Sequence, residues 1–281
     1  MLPVFSHWLR RSAGAILGWG LSLGALGAFM IGFYDTFAGQ SAQLENLLEN
    51  YPPELTAFFG DMEKAFTPQG YLTTEFFSYM PLILGIFAVQ AGSALIVTDE
   101  EAGTLDLVLA HPVSRTALFL GRLLALVSTL VAILGIAWLS FLLAAQKSAG
   151  LDFSGIELAR PMTSLFAVLF FFSGFSLLLS LVLPSRSLAT MVSGLAVTAA
   201  YFIQALSNIN EDLKGVARYL PLAYYQSGEA LGGLNVGWAA GLIGCGLLFC
   251  SLAWMLFAWR DIRVSGEGSW HLSLRRKPKT S

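Results

Sequence analysis

The chain has 281 residues, 56% of them hydrophobic and 12% charged, with a formal net charge of −2. Soluble domains carry about a quarter of their residues as charges, so this composition excludes an ordinary soluble domain and indicates an integral membrane protein. The near-neutral balance also excludes a general nucleic-acid binder, which needs a basic face to meet phosphates.

Met1 to Arg11 sets Val4, Phe5, Trp8 and Leu9 against His7, Arg10 and Arg11, an amphipathic lead-in suited to a membrane surface. A first span follows at 12–34. Its apolar core is too long for a signal peptide and no clear A-x-A site follows, so it reads as retained. Gly14 and Gly18, then Gly20 and Gly24, repeat the small-x-x-x-small spacing that lets helices approach closely, within the subunit or between subunits. Residues 35–75 form an acidic outer loop. The stripe Leu44, Leu47, Leu48, Tyr51 and the stripe Leu55, Phe58, Phe59, Met62 predict two surface helices separated by Pro52-Pro53, and Thr67 to Gly70 predicts a turn. The second span is expected at 76–97, with Pro81 in its first turns, where proline is tolerated.

The stretch Thr98 to Arg115, T-D-E-E-A-G-T-L-D-L-V-L-A-H-P-V-S-R, carries most of the functional information. Thr98 and Glu101 have capping-box spacing, and Asp99, Glu100 and Glu101 suit the first turn of a helix. Ala102, Leu105, Val108 and Leu109 share one face, and Pro112 stops the run. The spacing predicts an amphipathic helix over 98–112, too short to cross a bilayer. The acidic residues, then G-T-L, an apolar run, P-V-S-R and L-G-R at Leu120 to Arg122 resemble the first cytoplasmic loop of type-2 ABC exporter permeases. In that family the short helix is a coupling helix that docks on a separate ATPase subunit. The resemblance implies partner-binding roles for Asp99, Glu100, Glu101, Gly103, Thr104, Leu105, Val108, Leu109, His111, Pro112 and Arg115. The apolar positions are left to meet either the ATPase or the chain's own spans. Without the resemblance, the same residues describe an interfacial helix that only anchors a loop.

Further spans are expected at 123–146, 161–183, 188–207 and 236–259, giving an all-α polytopic membrane protein of six transmembrane helices in a single permease domain. The segment between the last two spans is too polar to cross, and the resemblance implies surface helices there. Gly237 and Gly241 repeat the close-packing spacing. Cys245 and Cys250, five residues apart on a helix, point in different directions and read as small packing residues. The tail 260–281 is basic, suited to topology setting and anionic lipid.

Six spans put both termini on one side. If that side is the cytoplasm, 11 of the 16 basic residues lie inside: Arg10, Arg11, Arg115, Arg122, Arg186, Arg260, Arg263, Arg275, Arg276, Lys277 and Lys279. This is the positive-inside distribution, and it sets the short helix on the cytoplasmic side of a cell membrane. No span holds an ionisable group at its centre, as ion-driven transporters require. There is no G-x-x-x-x-G-K-[ST] loop, no catalytic constellation and no metal-ligand cluster. The expectation is therefore a non-enzymatic membrane subunit without a cofactor of its own. ATP and Mg would be bound by a cytoplasmic ABC ATPase, and the membrane assembly would include a second permease copy and lipid. The alternative is a membrane anchor or assembly factor that holds a cytoplasmic partner without transport.

Overall fold

A computed structural model of the chain describes residues 1–48, 67–105, 113–148, 150–207 and 210–259, with the backbone alone for 35–48. The helices are α1 (Leu2–Arg11), α2 (Ala13–Leu48), α3 (Pro68–Leu72), α4 (Met80–Glu101), α5 (Arg115–Ala145), α6 (Gly155–Val182), α7 (Arg186–Ser207), α8 (Glu211–Ala217) and α9 (Val236–Trp259). A π-helical turn, Thr73–Phe77, joins α3 to α4, and two 3₁₀ turns, Pro221–Tyr224 and Ser227–Leu231, precede α9. Among the described residues, six helical stretches are long and apolar enough to cross a membrane: Ala13–Tyr34, Pro68–Glu101, Arg115–Ala145, Gly155–Val182, Arg186–Ser207 and Val236–Trp259. The described residues contain no strand, and the all-α polytopic architecture is the one expected.

Several boundaries differ from expectation, each for a local reason. The first outer-loop helix is not separate. Leu44, Leu47 and Leu48 belong to α2, which continues unbroken from the first span. No proline interrupts Ala13 to Leu48, so nothing stops the i→i−4 ladder. Its 36 residues rise ~54 Å at ~1.5 Å each, well beyond a ~30 Å hydrocarbon layer. The second stripe, 55–62, lies outside the described residues. Thr67 to Gly70 is a helix start rather than a free turn, because the Thr67 hydroxyl accepts from the Gly70 amide at 3.0 Å and Pro68 takes the first helical position.

The fourth span begins at Gly155, six residues before the expected Pro161. Ser154 and Glu157 form a capping box: the Ser154 amide donates to the Glu157 carboxylate at 2.8 Å, and the Glu157 amide donates to Ser154 Oγ at 3.3 Å. The third span begins at Arg115, under a Ser114 cap that accepts from the Ala117 amide at 3.1 Å. Arg122, expected to precede that span, therefore lies two turns inside it.

Helix α6 is the centre of the bundle. Of its membrane-crossing stretch 67% is buried, against 22% for that of α7 and 28% for that of α9. Small residues bring its neighbours close. A methyl on Gly92 of α4 would strike the Ser173 backbone of α6. One on Gly174 of α6 would sit 2.8 Å from the Gly246 carbonyl oxygen of α9. Ser176 Oγ donates to the Val89 carbonyl of α4 at 2.8 Å, and Ser93 and Thr190 hydroxyls pair at 2.8 Å between α4 and α7. Interhelical hydroxyl bonds of this kind hold membrane helices that gain little from apolar burial alone.

The two ends of the bundle are closed differently. At the end holding α1, one apolar cluster gathers Leu95, Leu105, Leu118, Phe119, Leu177 and Phe257. At the other, the Tyr225 hydroxyl donates to the Phe77 carbonyl at 2.8 Å, and Arg160 Nη1 donates to the Leu231 carbonyl at 3.0 Å. These bonds seat the 3₁₀ turns over α6 and the π turn.

Candidate functional site

The segment from Thr98 onward is built differently from an independent amphipathic helix. Thr98, Asp99, Glu100 and Glu101 are the last turn of α4, so the expected capping box at Thr98 and Glu101 does not form. The Thr98 hydroxyl is buried without a hydrogen-bond partner, and the Thr98 carbonyl accepts from the Ala102 amide at 3.1 Å as part of the continuing helix. The apolar run before Thr98 contains no breaker, so the ladder of the second span propagates through it.

The stop comes at Gly103. Its φ is +65°, the left-handed region open to glycine. The Thr104 amide donates to the Asp99 carbonyl at 2.9 Å, and the Gly103 amide donates to the Glu100 carbonyl at 3.1 Å. This pair of bonds is a Schellman motif, and Gly103 is its C′ residue. Leu105 follows the stop and is buried, with 1% exposure, in the cluster at the end of the bundle. Of the two contacts left open for it, the structure shows the chain's own spans. Val108, Leu109, His111 and Pro112 lie outside the described residues.

The acidic end of α4 is tied to α5 and α7, and through Arg122 to α1. Asp99 forms an ion pair with Arg122 of α5, whose side chain is 4% exposed while that of Asp99 is 13% exposed. Arg122 Nη1 also donates to the Leu95 carbonyl at 2.9 Å, one turn before Asp99. The guanidinium lies 4.7 Å from the ring centroid of Trp8, and Arg11 lies 5.2 Å from the same ring. Such stacking attracts the cation to the face of the indole. Glu101 accepts from the Arg186 amide at 2.8 Å, satisfying one of the orphan donors at the start of α7. Arg115 Nη1 reaches the Phe257 carbonyl at 3.3 Å and the Ala258 carbonyl at 3.4 Å, the matching cation at the end of α9.

The site is thus a junction. Its residues join α1, α4, α5 and α7 at one end of the bundle, and Arg115 adds α9. Beside it lies a cleft of about 660 Å³ lined by Val4, His7, Trp8, Asp99, Thr104 and Arg122 among others. Gly103 and Thr104 are exposed at its edge. Chemically the junction holds charges in fixed geometry, and it ties the ends of several spans to one another.

Sequence reasoning singled out Asp99, Glu101 and Arg115 but missed Arg122 as the partner of Asp99 and Trp8 as the ring beneath Arg122. The available signal was Arg122 itself, a charge seven residues beyond Arg115 within an apolar run, which demands a partner. The glycine pairs divide. Gly20 and Gly24 pack on Ile136 and Ser140 of α5. Gly14, Gly18 and Gly241 meet nothing within 4 Å, and Gly237 meets only Asn235. Those four mediate no helix packing among the described residues.

A family model described as ABC-2 family transporter protein matches residues 15–226, about three quarters of the chain. A search of the curated proteins finds no match.

Proposed function

The chain belongs to the ABC-2 transporter family and is a multi-pass membrane subunit of an ABC transporter, and from that premise we propose that it is an exporter permease driven by a separate cytoplasmic ATPase. The observation that carries this reading is the junction at the end of α4. The exposed Gly103–Thr104 corner sits on a helix end fixed to α5 and α7 by the Asp99–Arg122 pair and the Glu101–Arg186 bond. A push on that corner is transmitted to several spans without bending soft loop.

In this mechanism the α1 end faces the cytoplasm of a cell membrane and the ATPase seats against 103–112. Nucleotide and Mg belong to that ATPase, whose closure on ATP moves the corner as a rigid piece. Asp99, Arg122 and Trp8 act within the permease, holding the lever to its spans. Leu105 is internal packing, and Val108, Leu109 and His111 are left as the face for the partner. Two permease copies complete the pathway, and the open glycine face at Gly14 and Gly18 supports a contact between them.

The test is a photo-crosslinker at Thr104 in the full chain, expressed with candidate cytoplasmic ATPases. Capture of an ABC ATPase is expected, with ATP turnover that depends on the permease. Leu109→Asp is expected to lower both capture and coupled turnover at least tenfold while leaving membrane insertion unchanged. A permease that captures an ATPase yet leaves its turnover unaltered is an anchor and not a transporter subunit.

A further inference from the structure

At the end of the bundle away from α1, Gly237 and Gly241 open a groove instead of a helix contact. It has a volume of about 330 Å³, and its walls include Phe171, Tyr219, Tyr224 and Trp238, with Cys245 farther along the same face. Gly237 to Cys245 spans two turns, ~12 Å along the helix. The Tyr224 and Trp238 rings meet edge to face at 5.9 Å, which fixes one wall.

One cation stands at the rim, beyond the exposed Glu211, Asp212 and Lys214 of α8. Arg218 lies 4.8 Å from the ring centroid of Tyr219 and donates to its hydroxyl at 2.8 Å. Its neighbour one turn back, Lys214, is paired with Glu211 at 3.1 Å, whereas Arg218 pairs with no carboxylate among the described residues. The apolar trough therefore runs along a membrane-crossing helix, and an unneutralised guanidinium with a tyrosine hydroxyl stands at its polar end. Gly241 and Cys245 are on the exposed side of α9, which the bilayer bathes. An amphiphile with one acyl chain along the trough and an anionic headgroup at the rim satisfies both halves.

We propose that this groove is a specific seat for an anionic membrane phospholipid. One acyl chain lies over Gly237 and Gly241 between the aromatic walls, and the headgroup phosphate meets Arg218 and the Tyr219 hydroxyl. The seat does not depend on the ATPase. It follows from the membrane-spanning fold alone, so its failure and a failure of coupling are separate results.

The experiment uses the full chain in nanodiscs made from equal parts phosphatidylglycerol and phosphatidylcholine. Native mass spectrometry after release reads the lipid that stays bound. The wild type is expected to retain phosphatidylglycerol. Arg218→Gln changes an exposed side chain and is expected to lower the preference for phosphatidylglycerol over phosphatidylcholine about fivefold. Gly241→Leu, placed where an added Cβ meets nothing, is expected to fill the trough and abolish retention. Unchanged preference in Arg218→Gln, or wild-type retention in a folded Gly241→Leu, overturns the proposal. So does conversion of a dimer to monomers by Gly241→Leu, which makes the face a subunit contact. If Gly241→Leu does not fold, Arg218→Gln decides alone.

Discussion

A few side chains at the end of α4 carry the energetic weight of the junction. The Asp99–Arg122 pair is almost out of water. The mutual attraction of such a pair offsets desolvation only when both partners are present, and removing one leaves a stranded charge at a cost of about 3–5 kcal/mol. Asp99→Leu and Arg122→Met are therefore each expected to lower the unfolding temperature sharply. The double variant is expected to recover much of the loss. A thermal-shift cycle on the purified chain measures it, and strict additivity of the two losses would show that they do not act as a pair. Trp8 adds a smaller term, about 1 kcal/mol for a cation held over indole, and links the cycle to α1.

The same residues show why local spacing misled. Thr98-x-x-Glu101 and Ser154-x-x-Glu157 have one spacing, yet only the second forms a capping box. Ser154 follows a loop, so its amide and those after it need partners. Thr98 follows an apolar run already in a hydrogen-bonded ladder, so its amide is already committed. Gly103 was legible as a helix stop, since glycine is the usual residue at C′, but the reading of 98–112 as one helix hid it.

The elements are organised by how closely backbones approach. Gly92 and Gly174 place α4 and α9 directly against α6, and α2 rests on α5 through Gly20, Gly24 and Gly27. One methyl at Gly174 would push against the Gly246 carbonyl at 2.8 Å and Cys250 Sγ at 3.3 Å. Backbone cannot give way as a flexible side chain does, so Gly174→Ala is expected to destabilise by about 1–3 kcal/mol. Gly14→Ala, which meets open space, is expected to be neutral or slightly stabilising in the same denaturation series. Equal responses would mean that the α6–α9 crossing is not set by glycine. Gly14 sits in a glycine-rich run and Gly174 stands alone in the apolar run 161–183, and composition alone does not tell which face of a helix meets backbone.

For the molecule as a whole, the charge asymmetry makes a clean forecast. With the α1 end in the cytoplasm, Thr104→Cys is expected to react with an impermeant maleimide in inside-out vesicles and not in intact cells. Cys245 is exposed in the wild type, so the comparison is made in a Cys245→Ser background. Labelling of intact cells at position 104 would reverse the topology and remove the ATPase from reach.

The amino-acid sequence by itself determined that this protein crosses the membrane as six helices, with a polar segment after the second span. Those properties depend on runs of apolar and polar residues, which add along the chain whatever the partners. Only the tertiary structure decided that Arg122 meets both Asp99 and Trp8, that Leu105 turns inward, and that Gly237 and Gly241 bound a groove while Gly174 bounds a helix crossing. Each of those outcomes depends on which residues distant in sequence arrive at the same height on neighbouring helices. That is fixed by packing around α6, and no local window contains it.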